Sequence, residues 1–206
     1  MDDANQEIHE AVLLGNLEAV ESLLKLGLNI NQTNLNGYTP LHIALKYGRE
    51  IIIEYLINHG ADLEKATPDG QTPLHLAASL GRLSATKCVL SHEASMDKED
   101  KDGFSALYSA VMNGHLDIVR YFISQGSKVN QCNTKGWTPF YIGAGYGKLD
   151  VVKYLMSQGA DVNKGDNDGT TALSAAAHEG HLDVTKYLIN QGVEVNKGNN
   201  DVKKLR

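Results

Sequence analysis

The chain has 206 residues, with 19 Lys and Arg against 25 Asp and Glu and a formal net charge of −6. Basic residues gather only at the end, in Lys203, Lys204 and Arg206, which disfavours direct binding to nucleic acid. No apolar run approaches the roughly 20 residues that cross a bilayer, and the acidic start Met1-Asp2-Asp3 lacks the regions of a signal peptide; the chain is expected to be soluble and intracellular, in the cytoplasm.

Glycines set the predicted elements. Gly37, Gly70, Gly103, Gly136 and Gly169 lie 33 residues apart, and Gly15, Gly48, Gly81, Gly114, Gly147 and Gly180 keep the same step. A fixed period of this length means one supersecondary unit stacked on copies of itself, each too small to bury its apolar face alone. The predicted repeats run approximately over 1–33, 34–66, 67–99, 100–132, 133–165 and 166–198, with 199–206 as the start of a further repeat or a tail, all in one domain.

Repeat one opens without a turn segment, and Asn5, Glu7, Glu10, Asn16 and Glu18 make its helices polar, as a terminal cap requires. Each later repeat starts with a turn. Thr39, Thr72, Ser105, Thr138 and Thr171 then offer hydroxyls to cap a first helix, and Pro40, Pro73 and Pro139 sit where a missing N–H costs nothing. In the fourth repeat that helix runs to Asn113 and Gly114 breaks it. Leu116, Val119, Phe122 and Ile123 mark the buried stripe of a second helix, which Gly126 ends.

Glycine recurs at this last position as Gly27, Gly60, Gly159 and Gly192, but the third repeat carries Glu93. A side chain in the left-handed region costs on the order of 1 kcal/mol, so an altered loop or a weak joint is expected there. The stretch from Asp97 to Asp102 that follows mixes both charges and reads as a solvated turn rather than a metal site. In the sixth repeat, Leu182–Ile189 copies Leu149–Met156 with no added polarity, and Asn199-Asn200-Asp201 begins another turn. The chain is therefore expected to be cut from a longer array.

The stretches Asn36-Gly37-Tyr38-Thr39-Pro40-Leu41-His42-Ile43-Ala44 and Asp69-Gly70-Gln71-Thr72-Pro73-Leu74-His75-Leu76-Ala77-Ala78 match the signature of the ankyrin repeat. Later copies keep the frame with substitutions, as in Gly136-Trp137-Thr138-Pro139-Phe140-Tyr141. The chain resembles an ankyrin-repeat domain over roughly residues 5 to 200. That resemblance implies an all-α solenoid of stacked helix-turn-helix units with protruding β-turn loops. It also implies a non-catalytic module that binds a protein or peptide partner.

Chemistry outside the scaffold is sparse. His42 and His75 share one place in the repeat, where the resemblance implies structural hydrogen bonds to neighbouring loops rather than a zinc ladder; His115 and His181 share another. HExxH, GxSxG and paired-Cys motifs are absent. The run Gly143-Ala144-Gly145-Tyr146-Gly147 lacks the Lys-Ser/Thr pair of a phosphate loop and reads as a loosened first helix. Cys88 reads as a small core hydrophobe and Cys132 as a loop residue, with no disulfide framework. No catalytic residue, metal or cofactor is predicted; an orphan enzyme is the alternative of last resort.

Function is then sought on the surface. By the resemblance, the turn tips and the outward side of each first helix line a concave face that grips partners. At those positions stand Tyr38, Lys46, Tyr47, Leu80, Phe104, Met112, Trp137, Tyr146, His178 and Glu179. Trp137, Tyr146 and Phe104 are the expected anchors, because aromatic side chains bury large area at little entropic cost, and Trp137 and Tyr146 are expected to be exposed. Tyr108 and Tyr141 replace the usual histidine and are either further anchors or packed between repeats. Tyr55, Tyr121, Tyr154 and Tyr187 share one second-helix position and read as structural. An alternative reading makes Asn163 and Asn196 acceptors for an asparaginyl hydroxylase; otherwise they, with Asn31 and Asn130, bond within their loops. The chain is expected to be a monomer, with end-to-end association through the sixth repeat as the other option.

Overall fold

The structure, a computed structural model, describes residues 2–195, with side chains from Gln6 onward. Among the described residues twelve α-helices follow in pairs: α1 (Asp2–Leu14) with α2 (Leu17–Lys25), α3 (Pro40–Tyr47) with α4 (Glu50–Asn58), and α5 (Pro73–Ser79) with α6 (Leu83–Ser91). Then come α7 (Ala106–Asn113) with α8 (Leu116–Ser124), α9 (Pro139–Gly145) with α10 (Leu149–Ser157), and α11 (Ala172–His178) with α12 (Leu182–Asn190). The chain forms two compact bodies, an N-terminal one ending at Ala106 and a C-terminal one starting at Leu107.

In the N-terminal body α1, α3 and α5 pack in a row, each against its own second helix, and α4 packs on α6. Leu41, Leu45, Ile52, Ile53, Leu56 and Leu74 fill its core. In the C-terminal body α9 packs on α11, and α8, α10 and α12 form a second row. Phe122, Phe140, Ile118, Leu155 and Leu188 are its largest fully buried side chains. The helices are short because each buries only a stripe, and the stripe of the next repeat covers it.

Local chemistry starts each first helix. The Thr39 hydroxyl accepts from the His42 N–H, Thr138 from Tyr141 and Thr171 from Ser174, while Pro40, Pro73 and Pro139 hold the first helical position. Before the helix, one acidic or amide oxygen closes the turn: Asp166 Oδ1 accepts from the Asp168 N–H at 3.0 Å and the Thr170 N–H at 2.9 Å. Asn34, Asp100 and Asn133 do the same in their repeats.

The glycine series differ in what they tolerate. Gly70 has φ +83°, and a Cβ there would stand 2.8 Å from the Lys101 backbone nitrogen, which donates to the Asp69 carbonyl. Gly136 is matched against Asn167 in the same way. Turn-to-turn backbone contact therefore demands glycine twice over, by conformation and by clearance. At Gly126, by contrast, a Cβ would meet nothing within 4 Å. That openness accounts for Glu93, which adopts φ +64° and keeps the left-handed turn. Past it, residues 96 and 97 bend where the other copies close a hydrogen-bonded turn, so the loop is altered as expected, and Glu93 itself bears the strain of a side chain in the left-handed region.

Two expectations are corrected. Residues 143–145 form the regular end of α9, not a loosened helix; Gly143 is buried, and a Cβ there would press on Val111 and Val152 at 3.4 Å. The loop asparagines bond between repeats rather than within their own loops: Asn31 Oδ1 accepts from the Asp62 N–H, Asn130 Oδ1 from the Asp161 N–H, both at 2.8 Å, and Asn163 Oδ1 from the Glu194 N–H at 3.1 Å. The stacking step brings the next loop's N–H within reach, and a single loop cannot supply it. Cys88 is half-buried, with burial pushing its thiol up, and Cys132 is exposed; both are free.

Candidate functional site

In the N-terminal body the turn tips and first-helix ends place Tyr38, Lys46, Tyr47, Leu80 and Phe104. Tyr38 is half-buried and meets His42 edge to face, with centroids 5.9 Å apart. The Lys46 ammonium lies 5.6 Å from the Tyr38 ring and 6.0 Å from the Tyr47 ring. Tyr47 is 48% exposed and Leu80 39%. Phe104 is half-buried, and its carbonyl accepts from His75 Nε2 at 2.9 Å.

That bond pins the turn of one repeat to the first helix of the repeat before it. His9 Nε2 reaches the Tyr38 carbonyl at 2.9 Å in the same way, and the Tyr108 hydroxyl lies 2.7 Å from both the Gln131 and Trp137 carbonyls. Tyr108 is only 4% exposed, so it belongs to the frame. In His42 and His75, Nδ1 accepts from the N–H of Thr39 and Thr72, which fixes the proton on Nε2. Burial holds His42 down at about 4 against the pull of the Gln71 carbonyl, which Nε2 faces without closing a bond of standard geometry. His75 is likewise lowered by burial.

In the C-terminal body the site is built around Trp137. Its ring stacks on Tyr141, with centroids 5.8 Å apart and planes 8° from parallel. Its Nε1–H donates to Asp166 Oδ2 at 3.2 Å, and the Lys135 ammonium sits 4.6 Å from its ring centre. Trp137 is therefore half-buried and fixed, rather than freely exposed as expected, because a neighbouring carboxylate and a tyrosine claim its edge and one face. Burial and the charges of Asp166 and Glu179 push the Tyr141 hydroxyl up to about 12. Tyr146, the residue after α9, is 52% exposed. Met112 is half-buried on α7, and His178 and Glu179 are exposed at the end of α11 with Nδ1 and Oε1 3.1 Å apart.

Asp166, Tyr141 and Lys135 complete this cluster, and of the three only Tyr141 stands out in the sequence. Asp166 hides among turn residues that recur every 33 positions. Its second oxygen distinguishes it from Asn133, the equivalent residue one repeat earlier, which presents an amide there whose buried Nδ2 has no hydrogen-bond partner. Among the described residues no three His, Cys, Asp or Glu gather as a metal site, and no helix is long and apolar enough to cross a membrane. Asn163 is half-buried with its side-chain oxygen engaged by the next loop; Asn196 lies outside the described residues. Tyr154 and Tyr187 are half-buried, their rings lying under Arg120 at 4.3 Å and Lys153 at 5.6 Å.

A family model described as ankyrin repeats (three copies) matches overlapping stretches over residues 8–100, 61–133, 81–166 and 107–199. Protein phosphatase 1 regulatory subunit 27 of Mus musculus and of Homo sapiens is each 60% identical over 37 residues, 18% of this chain. The chain spans only 24% of the length of those relatives. The human ASB11 ankyrin repeat domain superposes with a TM-score of 0.83 at 27% identity, covering 94% of this chain and 87% of that one. The ankyrin repeat domain of Bcl-3, described as a unique member of the IkappaB protein family, gives 0.80 at 26%, covering 94% and 89%. Ankyrin repeats generally serve as protein–protein interaction modules and their fold is typically non-catalytic. With twelve paired helices among its described residues and a matched frame from residue 8 to 199, this chain belongs to the ankyrin-repeat family and has its all-α solenoid fold.

Proposed function

We propose that the chain is a non-catalytic, cytoplasmic docking module that binds a protein partner across its turn tips and first-helix ends. In the C-terminal body Trp137, Tyr146 and Met112 are the apolar contacts, with His178 and Glu179 at the periphery. In the N-terminal body Tyr38, Lys46, Tyr47, Leu80 and Phe104 form a second patch. The observation that carries this reading is the pairing of an immobilised Trp137 with a Tyr146 left 52% exposed. A fixed aromatic loses little entropy on binding, and an exposed one has area left to bury. Two free cysteines support a reducing compartment.

The test is affinity capture from cell lysate with the wild-type chain and a Trp137→Ala/Tyr146→Ala double variant, with Tyr146→Ala alone as the variant that spares the Trp137 cluster. Specific partners retained by wild type are expected to be lost with the folded double variant and weakened with Tyr146→Ala, since a true anchor contributes about 2 kcal/mol or more. Unchanged retention by both folded variants would overturn the reading.

A further inference from the structure

Each turn tip is closed by one backbone bond. The Asp100 N–H donates to the Phe104 carbonyl and the Asp166 N–H to the Thr170 carbonyl, both at 2.9 Å; Thr67 with Gln71 at 2.9 Å and Asn133 with Trp137 at 3.0 Å repeat the pattern. What differs between the two bodies is the side chain that reaches the tip from the first helix of the repeat before. In the N-terminal body it is an imidazole: His75 Nε2 donates to the Phe104 carbonyl at 2.9 Å, and His42 faces Gln71 from the same place. In the C-terminal body that place is held by Tyr108, whose hydroxyl lies 2.7 Å from the Trp137 carbonyl, and by Tyr141, whose hydroxyl burial and Asp166 push up to about 12. Neither tyrosine exchanges a proton in the range where an imidazole does. The histidines of the C-terminal body, His115, His178 and His181, stand instead at or just after the ends of their first helices.

The two imidazoles have no place for a second proton while the tips are closed. His42 is 0% and His75 1% exposed. Nδ1 of His42 accepts from the Thr39 N–H and Nδ1 of His75 from the Thr72 N–H, each at 3.2 Å, and each ring sits at the third position of its helix. A proton on Nδ1 would face that N–H donor and the positive end of the helix, with no water to take it. At His75 burial outweighs the Phe104 and Lys98 carbonyls and the charges of Asp100 and Glu64, all of which favour the charged ring. His42 feels only its burial and the Gln71 carbonyl.

We infer that the N-terminal body carries an acid-operated latch, in which His42 or His75 takes a proton as the tip at Gln71 or Phe104 is released, and that the C-terminal body, with Tyr108 and Tyr141 in those places, has none at Trp137 and Thr170. An opened tip gives the ring to water, where an imidazole titrates at about 6.5. As pH falls below that value the open form gains population, by up to about tenfold per pH unit, until the closed ring itself charges. The latch acts on the tips themselves, whatever docks on them.

Amide hydrogen exchange, followed by NMR on the native chain with the intrinsic rate divided out at each pH, reads the four tips one by one. Between about pH 7.5 and 5.5 the protection of the Asp100 and Thr67 amides is expected to fall about tenfold, while that of the Asp166 and Asn133 amides stays within about twofold. Asp100 and Asp166 make a matched pair, since each closes its turn with a carboxylate and the side chain behind the tip differs. His75→Tyr, which copies Tyr108, should abolish the slope at Asp100; Tyr108→His should create one at Asn133. Equal slopes in the two bodies, no slope at Asp100 in wild type, or a slope at Asp100 that survives in folded His75→Tyr would each overturn the inference. The comparison of tips within the wild-type chain decides even where a variant fails to fold.

Discussion

At His42 a single proton carries a measurable share of stability. The ring is fully buried, Nδ1 is committed as an acceptor of the Thr39 N–H, and protonation would set two donors against each other. Its folded value of about 4 lies below the 6.5 of an unfolded histidine. Below 6.5 the unfolded chain therefore binds the proton that the folded chain refuses, so the contribution is present at neutral pH and is lost as pH falls toward 4. His75 acts in the same direction. Urea unfolding at pH 7 and pH 5 should show a loss of about 2 kcal/mol from His42 alone, and His42→Gln should flatten that part of the slope. A slope unchanged by the variant would mean the ring is charged in the folded state.

Among elements, the turns decide which substitutions the stack accepts. Gly70 and Gly136 each face the backbone of the next turn at 2.8 Å, whereas Gly126 faces open space with the same sign of φ. Gly136→Ala is expected to cost more than about 2 kcal/mol because the turn-to-turn hydrogen bond must break, and Gly126→Ala about 1 kcal/mol for conformation alone. Glu93→Gly should return a similar 1 kcal/mol. Chemical denaturation of the three variants checks the order; equal costs at Gly126 and Gly136 would remove clearance as the reason. The helix pairs themselves were legible in sequence, since hydroxyl, proline and glycine mark their ends and apolar spacing marks their buried stripe. The bonds between loops were not, because an asparagine in a turn has several local partners and only stacking selects the N–H of the next repeat.

Across the whole molecule, stability and recognition rest on different side chains. The core is a series of buried stripes, and the face proposed for docking is made of residues the core does not need. Leu155→Ala, at a fully buried position, should lose about 3 kcal/mol, while Tyr146→Ala should change unfolding by less than about 0.5 kcal/mol. Calorimetry on both variants tests that separation, and a large loss with Tyr146→Ala would place Tyr146 in the frame.

By itself the sequence determined the period, the helix pairing and the family, because each rests on local chemistry repeated every 33 residues and repetition makes the signal visible. It also supplied the positions from which the proposed docking face is drawn. Only the tertiary structure decided how those positions are held: that Tyr108 is buried under the next turn and that Trp137 is fixed by Asp166 and Tyr141. The physical reason is one of distance. Each of these contacts joins residues about one repeat or one helical turn apart in a geometry set by stacking, and a pattern that treats every repeat alike cannot show where one of them departs.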